Sequence, residues 1–166
     1  LLPVVAAVAM LASPAARAQF FSSTGDNSSF PVNLFPINPA SPVLNFTGNG
    51  VGIANSGTAS FTASNGGVLL ADKLSIAING TGVGGVTVTG AGTQVNLSGA
   101  SATNGNRLEV GNWGIGSLSV TGGAVVDASQ NAAGCFAPGV SCNSYIGNAA
   151  GSSGVLNISG AGSTVS

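Results

Sequence analysis

Apolar and polar residues alternate along much of the chain after residue 43. Val86 and Val88 flank Thr87 and precede Thr89; Leu118 and Val120 interleave with Ser117, Ser119 and Thr121; Leu156 and Ile158 interleave with Asn157 and Ser159. A period of two sends alternate side chains to opposite faces of an extended strand. The aliphatic positions are largely β-branched, which suits a pleated surface. No segment beyond residue 18 carries a convincing helical period. The pattern predicts an all-β chain of short strands.

These strands belong to a repeat. GVTVTGAGTQVN at 85–96 matches VLNISGAGSTVS at 155–166, with Val88 over Ile158, Gly90 over Gly160, Gly92 over Gly162 and Val95 over Val165. GSLSVTGGAVV at 116–126 has the same form, and GTASFTASNGGVLL at 57–70 is a weaker copy. Each copy follows a second element: GIANSG at 52–57, LSIAING at 74–80, LEVGNWG at 108–114 and YIGNAAG at 145–151. Anchors Ile53, Ile76, Val110 and Ile146 fall 23, 34 and 36 residues apart, so the turns must absorb insertions. Short strands, Gly-rich turns and units of this size predict a parallel β-helix, a solenoid whose rungs rise about 4.8 Å each. At about 20–25 residues per rung, five or six rungs are expected. Val88, Val120 and Ile158 then form one core ladder, and Val110 and Ile146 another. Asn112 and Asn148 follow Gly111 and Gly147 at matching sites. They suit an Asn ladder along the axis, or Asn tolerated in left-handed turns.

Prolines divide the chain before this region. Pro31, Pro36, Pro39 and Pro42 all precede residue 43, and only Pro138 follows. Proline removes a ladder donor, so 19–42 is expected to be a leader or cap, with Phe20, Phe21, Phe30 and Phe35 available to cover the end of a core. Residues 1–12 are an apolar run, and Ala16-Arg17-Ala18 forms an A-x-A site. Residues 1–18 therefore read as a secretory signal peptide cleaved between Ala18 and Gln19. The missing initiator Met and basic n-region predict a start inside that signal. An end in mid-repeat predicts truncation at residue 166 as well. Cys135 and Cys142, separated by six residues around Pro138 and Gly139, are expected to form a local disulfide worth about 2–3 kcal/mol.

VGNWGIGSLSVTGGAVV and IGNAAGSSGVLNISGAGSTVS resemble the type V secretion/PEP-CTERM-associated repeat of autotransporter-type proteins, whose form is V-G-N, a few Gly-rich residues, then G-x-L-x-[VI]-[ST]-G-G/A. The resemblance covers about 74–166 and, more loosely, 43 onward. It implies an exported β-helical passenger on a bacterial surface, commonly an adhesin. It further implies outer-membrane anchoring by a C-terminal β-barrel or retention by a sorting signal, neither of which lies within these residues.

Composition narrows the chemistry. Hydrophobic residues are 44% of the chain and charged ones 4%. Disorder through charge is thereby excluded, and solubility falls to Ser, Thr, Asn and Gly. The three cations, Arg17, Lys73 and Arg107, cannot neutralise a nucleic-acid backbone. Histidine is absent, so the usual triad and the commonest metal ligand are missing. With only two cysteines, no zinc set is expected. The Gly-rich turns lack the Asp of calcium β-rolls and the Lys of phosphate loops. Asp72 beside Lys73, and Arg107 near Glu109, read as weak surface pairs rather than catalytic groups. A regular Thr array of the ice-binding kind begins at Thr87 and Thr89 but decays to Asn157 and Ser159.

No enzyme, cofactor or metal is therefore expected. The function expected is that of a secreted or cell-surface adhesin, meeting itself, a host or abiotic surface, or an extracellular glycan through its polar face. Trp113 and Ile115, at a turn, are candidate exposed contacts, or ordinary corner residues. The rival readings are a passive stalk and, third, a polysaccharide-acting enzyme.

Overall fold

A computed structural model describes residues 19–25, 41–98, 108–129 and 143–166. Residues 1–18, expected to be a signal peptide, together with Phe30, Phe35, Arg107, Cys135 and Cys142, lie outside them; Gln19 is the first described residue.

The described chain is all-β, with no helix. Its strands are β1 (Phe21–Gly25), β2 (Val43–Ile53), β3 (Thr58–Ala63), β4 (Val68–Ile76), β5 (Val83–Thr89), β6 (Gln94–Leu97), β7 (Leu108–Val110), β8 (Ile115–Thr121), β9 (Val125–Asp127), β10 (Tyr145–Ile146), β11 (Ser153–Ser159) and β12 (Thr164–Val165). One sheet runs β1-β3-β5-β8-β11. The other runs β10-β7-β4-β6-β9-β12, with β2 beside β4. Every pairing is parallel except β1 with β3. Strands adjacent in sequence thus fall in different sheets, and each sheet is built by strands that return one unit later.

Register follows the sequence repeat. Phe61, Val86, Leu118 and Leu156 share one row, and Ala63, Val88, Val120 and Ile158 the next but one. In the second sheet Leu69, Val95, Val126 and Val165 align, as do Ile53, Ile76, Val110 and Ile146. The unequal spacing of those four anchors therefore collapses to one row in space. Strand patterns such as the alternating burial of β5 and β8 send the aliphatics of both sheets into a single cluster. At about 25 cal/mol per Å² of apolar surface removed from water, that cluster supplies the main stabilising term.

The row behaves differently at its two ends. Val88, Val120 and Val110 are fully buried. Ile146 and Ile158, expected in the core, keep the register but are 50% and 44% exposed. They sit on the outermost described strands, β10 and β11, where no described strand lies beyond them. At the other end β1 lies antiparallel on β3, and its Phe21 stacks on Phe61 with ring centroids 6.1 Å apart. This reversed strand departs from the all-parallel expectation. Among the described residues the first sheet holds four parallel strands beside β1.

Those connections share one place. β4 passes without interruption from its pairing with β6 (Val68 to Ala71) to its pairing with β7 (Leu74 to Ile76). Asp72 and Lys73 lie between the two pairings. In the next unit residues 99–107 intervene between Ser98 and Leu108, and in the one after, residues 130–142 and the short described segments flanking them separate β9 from β10. Asn96 pairs with Asp127, and Glu109 with Tyr145. The strands thus leave and rejoin the sheet in matching register despite different intervening lengths.

Glycine is required at a few specific positions. Gly84, Gly116 and Gly154 stack in register. A Cβ at Gly116 would overlap the backbone N of Gly111, and one at Gly154 the carbonyl O of Val110. At the opposite turn Gly90 and Gly92 have φ of 90° and 79°, and Gly160 and Gly162 repeat these values at 88° and 79°, a conformation other residues adopt only with strain.

Candidate functional site

Polar side chains on the outer faces tie neighbouring units together. Asn148 Nδ2 donates to Asn112 Oδ1 at 2.8 Å, and Asn79 Nδ2 to Asn55 Oδ1 at 2.8 Å. Asn112 and Asn148 therefore bond along the stacking direction, as a ladder requires. Thr93 is buried; its hydroxyl donates to Thr89 O at 2.8 Å and accepts from Gly66 N at 3.0 Å. Ser163 repeats this with Ser159 O and Gly123 N. Such bonds satisfy turn groups that would otherwise be desolvated unpaired.

The outward rows of the first sheet are nearly free of charge. Thr62, Thr87, Ser119 and Asn157 align, as do Thr89, Thr121 and Ser159. Thr121 and Thr89 hydroxyls lie 2.9 Å apart. Several apolar side chains are exposed at the starts of these strands and in the turn before β8. Val83 and Ile115 face each other in register, 43% and 56% exposed, with Trp113 at 60% and Val155 at 55%. Trp113 and Ile115, singled out from sequence, are thus both at the surface. Val83 and Val155 were missed, because each reads as one more apolar position at a strand start. The second sheet offers a groove of about 460 Å³ lined by Thr47, Leu70, Gln94, Asn96, Ser98 and others.

The carboxylates are less scattered than the sequence implies. Glu109 is buried and accepts from Ser75 Oγ at 2.7 Å and Asn112 Nδ2 at 3.0 Å, while Lys73 Nζ lies 3.1 Å from its other oxygen. The expected surface pairing of Asp72 with Lys73 is replaced by this pair, because the in-register stacking of β4 and β7 sets Ser75 beside Glu109. Asp72 is also buried; Oδ1 accepts from Gly48 N at 3.0 Å and Ser98 Oγ at 2.6 Å, and Oδ2 has no hydrogen-bond partner among the described residues. Sequence distance hid both arrangements, since the partners come from other units. Glu109 has its acceptor sites filled by Lys73, Ser75 and Asn112 and is closed to solvent, an arrangement suited to holding β7 against β4. Among the described residues no three His, Cys, Asp or Glu side chains cluster as a metal site. No described helix is long and apolar enough to cross a membrane.

Comparison with known proteins gives no match to a family model, to a curated protein or to a solved structure.

Proposed function

We propose that this chain is an exported, non-enzymatic scaffold: a parallel β-helix that presents a charge-poor Ser/Thr/Asn face for adhesion at a bacterial surface. The resemblance of 74–166 to autotransporter-associated repeats supports export and display. The observation that carries the adhesive role is the outer face of the first sheet, where hydroxyl and amide rows continue strand after strand beside the exposed Val83, Ile115 and Val155, with exposed Trp113 in the turn that leads into β8. A large apolar group rimmed by polar residues is the usual mark of a contact site. Each contact on such a face is weak, and many copies displayed together bind through multivalency. The partner is another copy, a host or abiotic surface, or an extracellular glycan.

The test displays the chain densely on beads and measures clumping and retention on glycan-coated and bare surfaces. Trp113→Ala with Ile115→Ser should reduce both at least fivefold while far-UV circular dichroism stays unchanged. Beads that neither clump nor adhere, with or without the substitutions, would leave the passive stalk as the function. Turnover of a polysaccharide by the purified chain would replace both readings with an enzyme.

A further inference from the structure

The turn that leads into β5 runs through Asn79, Gly80, Thr81 and Gly82, and Gly82 N closes it by donating to Asn79 O at 2.8 Å. Asn79, Gly80 and Thr81 are exposed. Asn79 Nδ2 donates to Asn55 Oδ1 at 2.8 Å and to Ser56 Oγ at 3.3 Å, so the side chain hangs from the unit before it. Gly80 N has no hydrogen-bond partner among the described residues. The space beside Gly80 is open as well: a Cβ there would meet only Trp113 O, at 3.8 Å.

An asparagine followed by glycine can react with its own backbone, because a residue without a Cβ leaves its nitrogen unobstructed on the way to the carboxamide carbon. Such pairs stand at Asn49–Gly50, Asn65–Gly66, Asn79–Gly80 and Asn104–Gly105, the last outside the described residues. The fold treats the other three differently. Asn49–Gly50 lies inside β2, where Gly50 is in register with Lys73 of β4. Its peptide cannot swing without parting the ladder. Asn65–Gly66 is clamped. Gly66 N donates to the buried Thr93 Oγ1 at 3.0 Å, Asn65 Nδ2 donates to Gln19 O at 2.8 Å, and Gly67 N closes the turn on Ser64 O at 2.9 Å. At Asn79 the nitrogen that must attack is already unbound, and the peptide swings once the single Gly82 to Asn79 bond opens. Local openings of this size are the cheapest a fold makes.

We infer that Asn79 is a modification site, converted by spontaneous deamidation while the chain stays folded. Gly80 N, deprotonated by hydroxide, attacks Asn79 Cγ. The N–Cγ bond forms, the Cγ–Nδ2 bond breaks, and the amide nitrogen leaves as ammonia with a proton from water. Water then opens the cyclic imide. Attack at Cγ leaves an ordinary aspartate, and attack at the main-chain carbonyl leaves an isoaspartate whose backbone runs through Cβ. Either product removes the donor that Asn55 Oδ1 accepts from and puts a carboxylate in its place. The turns stacked at this corner, 55–57, 79–82, 112–114 and 148–152, contain no charged residue. The reaction therefore gives the corner that carries Trp113 its first charge, slowly and in one direction.

The full chain incubated in mildly alkaline buffer, with and without urea, tests this by peptide mapping and isoaspartate labelling over time. In urea the pairs at 49, 65 and 79 should convert at rates within about twofold of one another, since no fold protects them. In native buffer Asn79 should convert about fivefold faster than Asn65 or Asn49, or more, with isoelectric focusing showing a more acidic chain. Gly80→Ala, whose Cβ has room, should slow conversion at Asn79 about tenfold and leave the far-UV spectrum unchanged. Native protection of Asn79 equal to that of Asn65, conversion of all three at their urea rates, or an Asn79 rate indifferent to Gly80→Ala would overturn the inference.

Discussion

Val120 and Ile158 occupy one row on adjacent strands, yet their truncation should cost different amounts, in the opposite order to the atoms removed. Val120→Ala deletes two methyl groups from a site with no exposure. Transfer accounts for about 1.6 kcal/mol at 0.8 per carbon. A void of roughly 50 Å³ between Val88 and Ile158 adds about 1.2 kcal/mol at 24 cal/mol per Å³. The total is near 3 kcal/mol. Ile158→Ala deletes three carbons, about 2.4 kcal/mol if fully buried. At 44% exposure little more than half of that applies, and an open site leaves no cavity. About 1.3 kcal/mol results. Urea unfolding followed by circular dichroism, at a dilution where the chain is monomeric, measures both. Equal m-values license the comparison. If Ile158→Ala costs as much as Val120→Ala, strands beyond β8 do not stack as described.

Gly116→Ala should cost at least 3 kcal/mol, or prevent folding, because its Cβ overlaps the Gly111 backbone and a backbone cannot yield as a side chain does. The neighbouring Gly85→Ala, whose Cβ approaches only Ser117 Oγ at 3.4 Å, should change stability by less than about 0.5 kcal/mol; the pair is checked by thermal melts side by side. Glu109→Ala strips the acceptor from buried Ser75 and from Asn112 and should cost about 2–4 kcal/mol, well above the 0–1 kcal/mol of a surface pair. Chemical denaturation with Lys73→Met as the second arm of a double-mutant cycle reads the coupling. Asn112→Ala loses one bond to Asn148 and one to Glu109 and should cost about 1–2 kcal/mol by the same measurement.

Strand content and row partners were legible because period-two alternation and the repeated GAG and GN turns are local signals. Ile53, Ile76, Val110 and Ile146 could be aligned by eye despite uneven spacing. The reversed β1 was not legible: FSSTG carries one apolar residue and no alternation that could set its direction, which shows only in its pairing with β3. Nor was burial of Ile146 and Ile158, which depends on a neighbour beyond the strand and not on the residue. Glu109 looked like a surface charge beside Arg107; only stacking of β7 on β4 brings Lys73 and Ser75 to it. The exposure of Trp113 was one of two readings the sequence allowed, since a turn residue's environment is decided by the strands above and below.

At Asp72 and Lys73 one unit continues from one pairing to the next with no added residues, while the next two units place 99–107 and the longer stretch that holds 130–142 between the corresponding strands, and the register on either side does not shift. Length at this point is uncoupled from the fold. The framework can accept, lose or exchange a segment there without re-indexing a single row. Diversification of such a protein would then proceed by grafting at one seam while the stacked interior stays untouched.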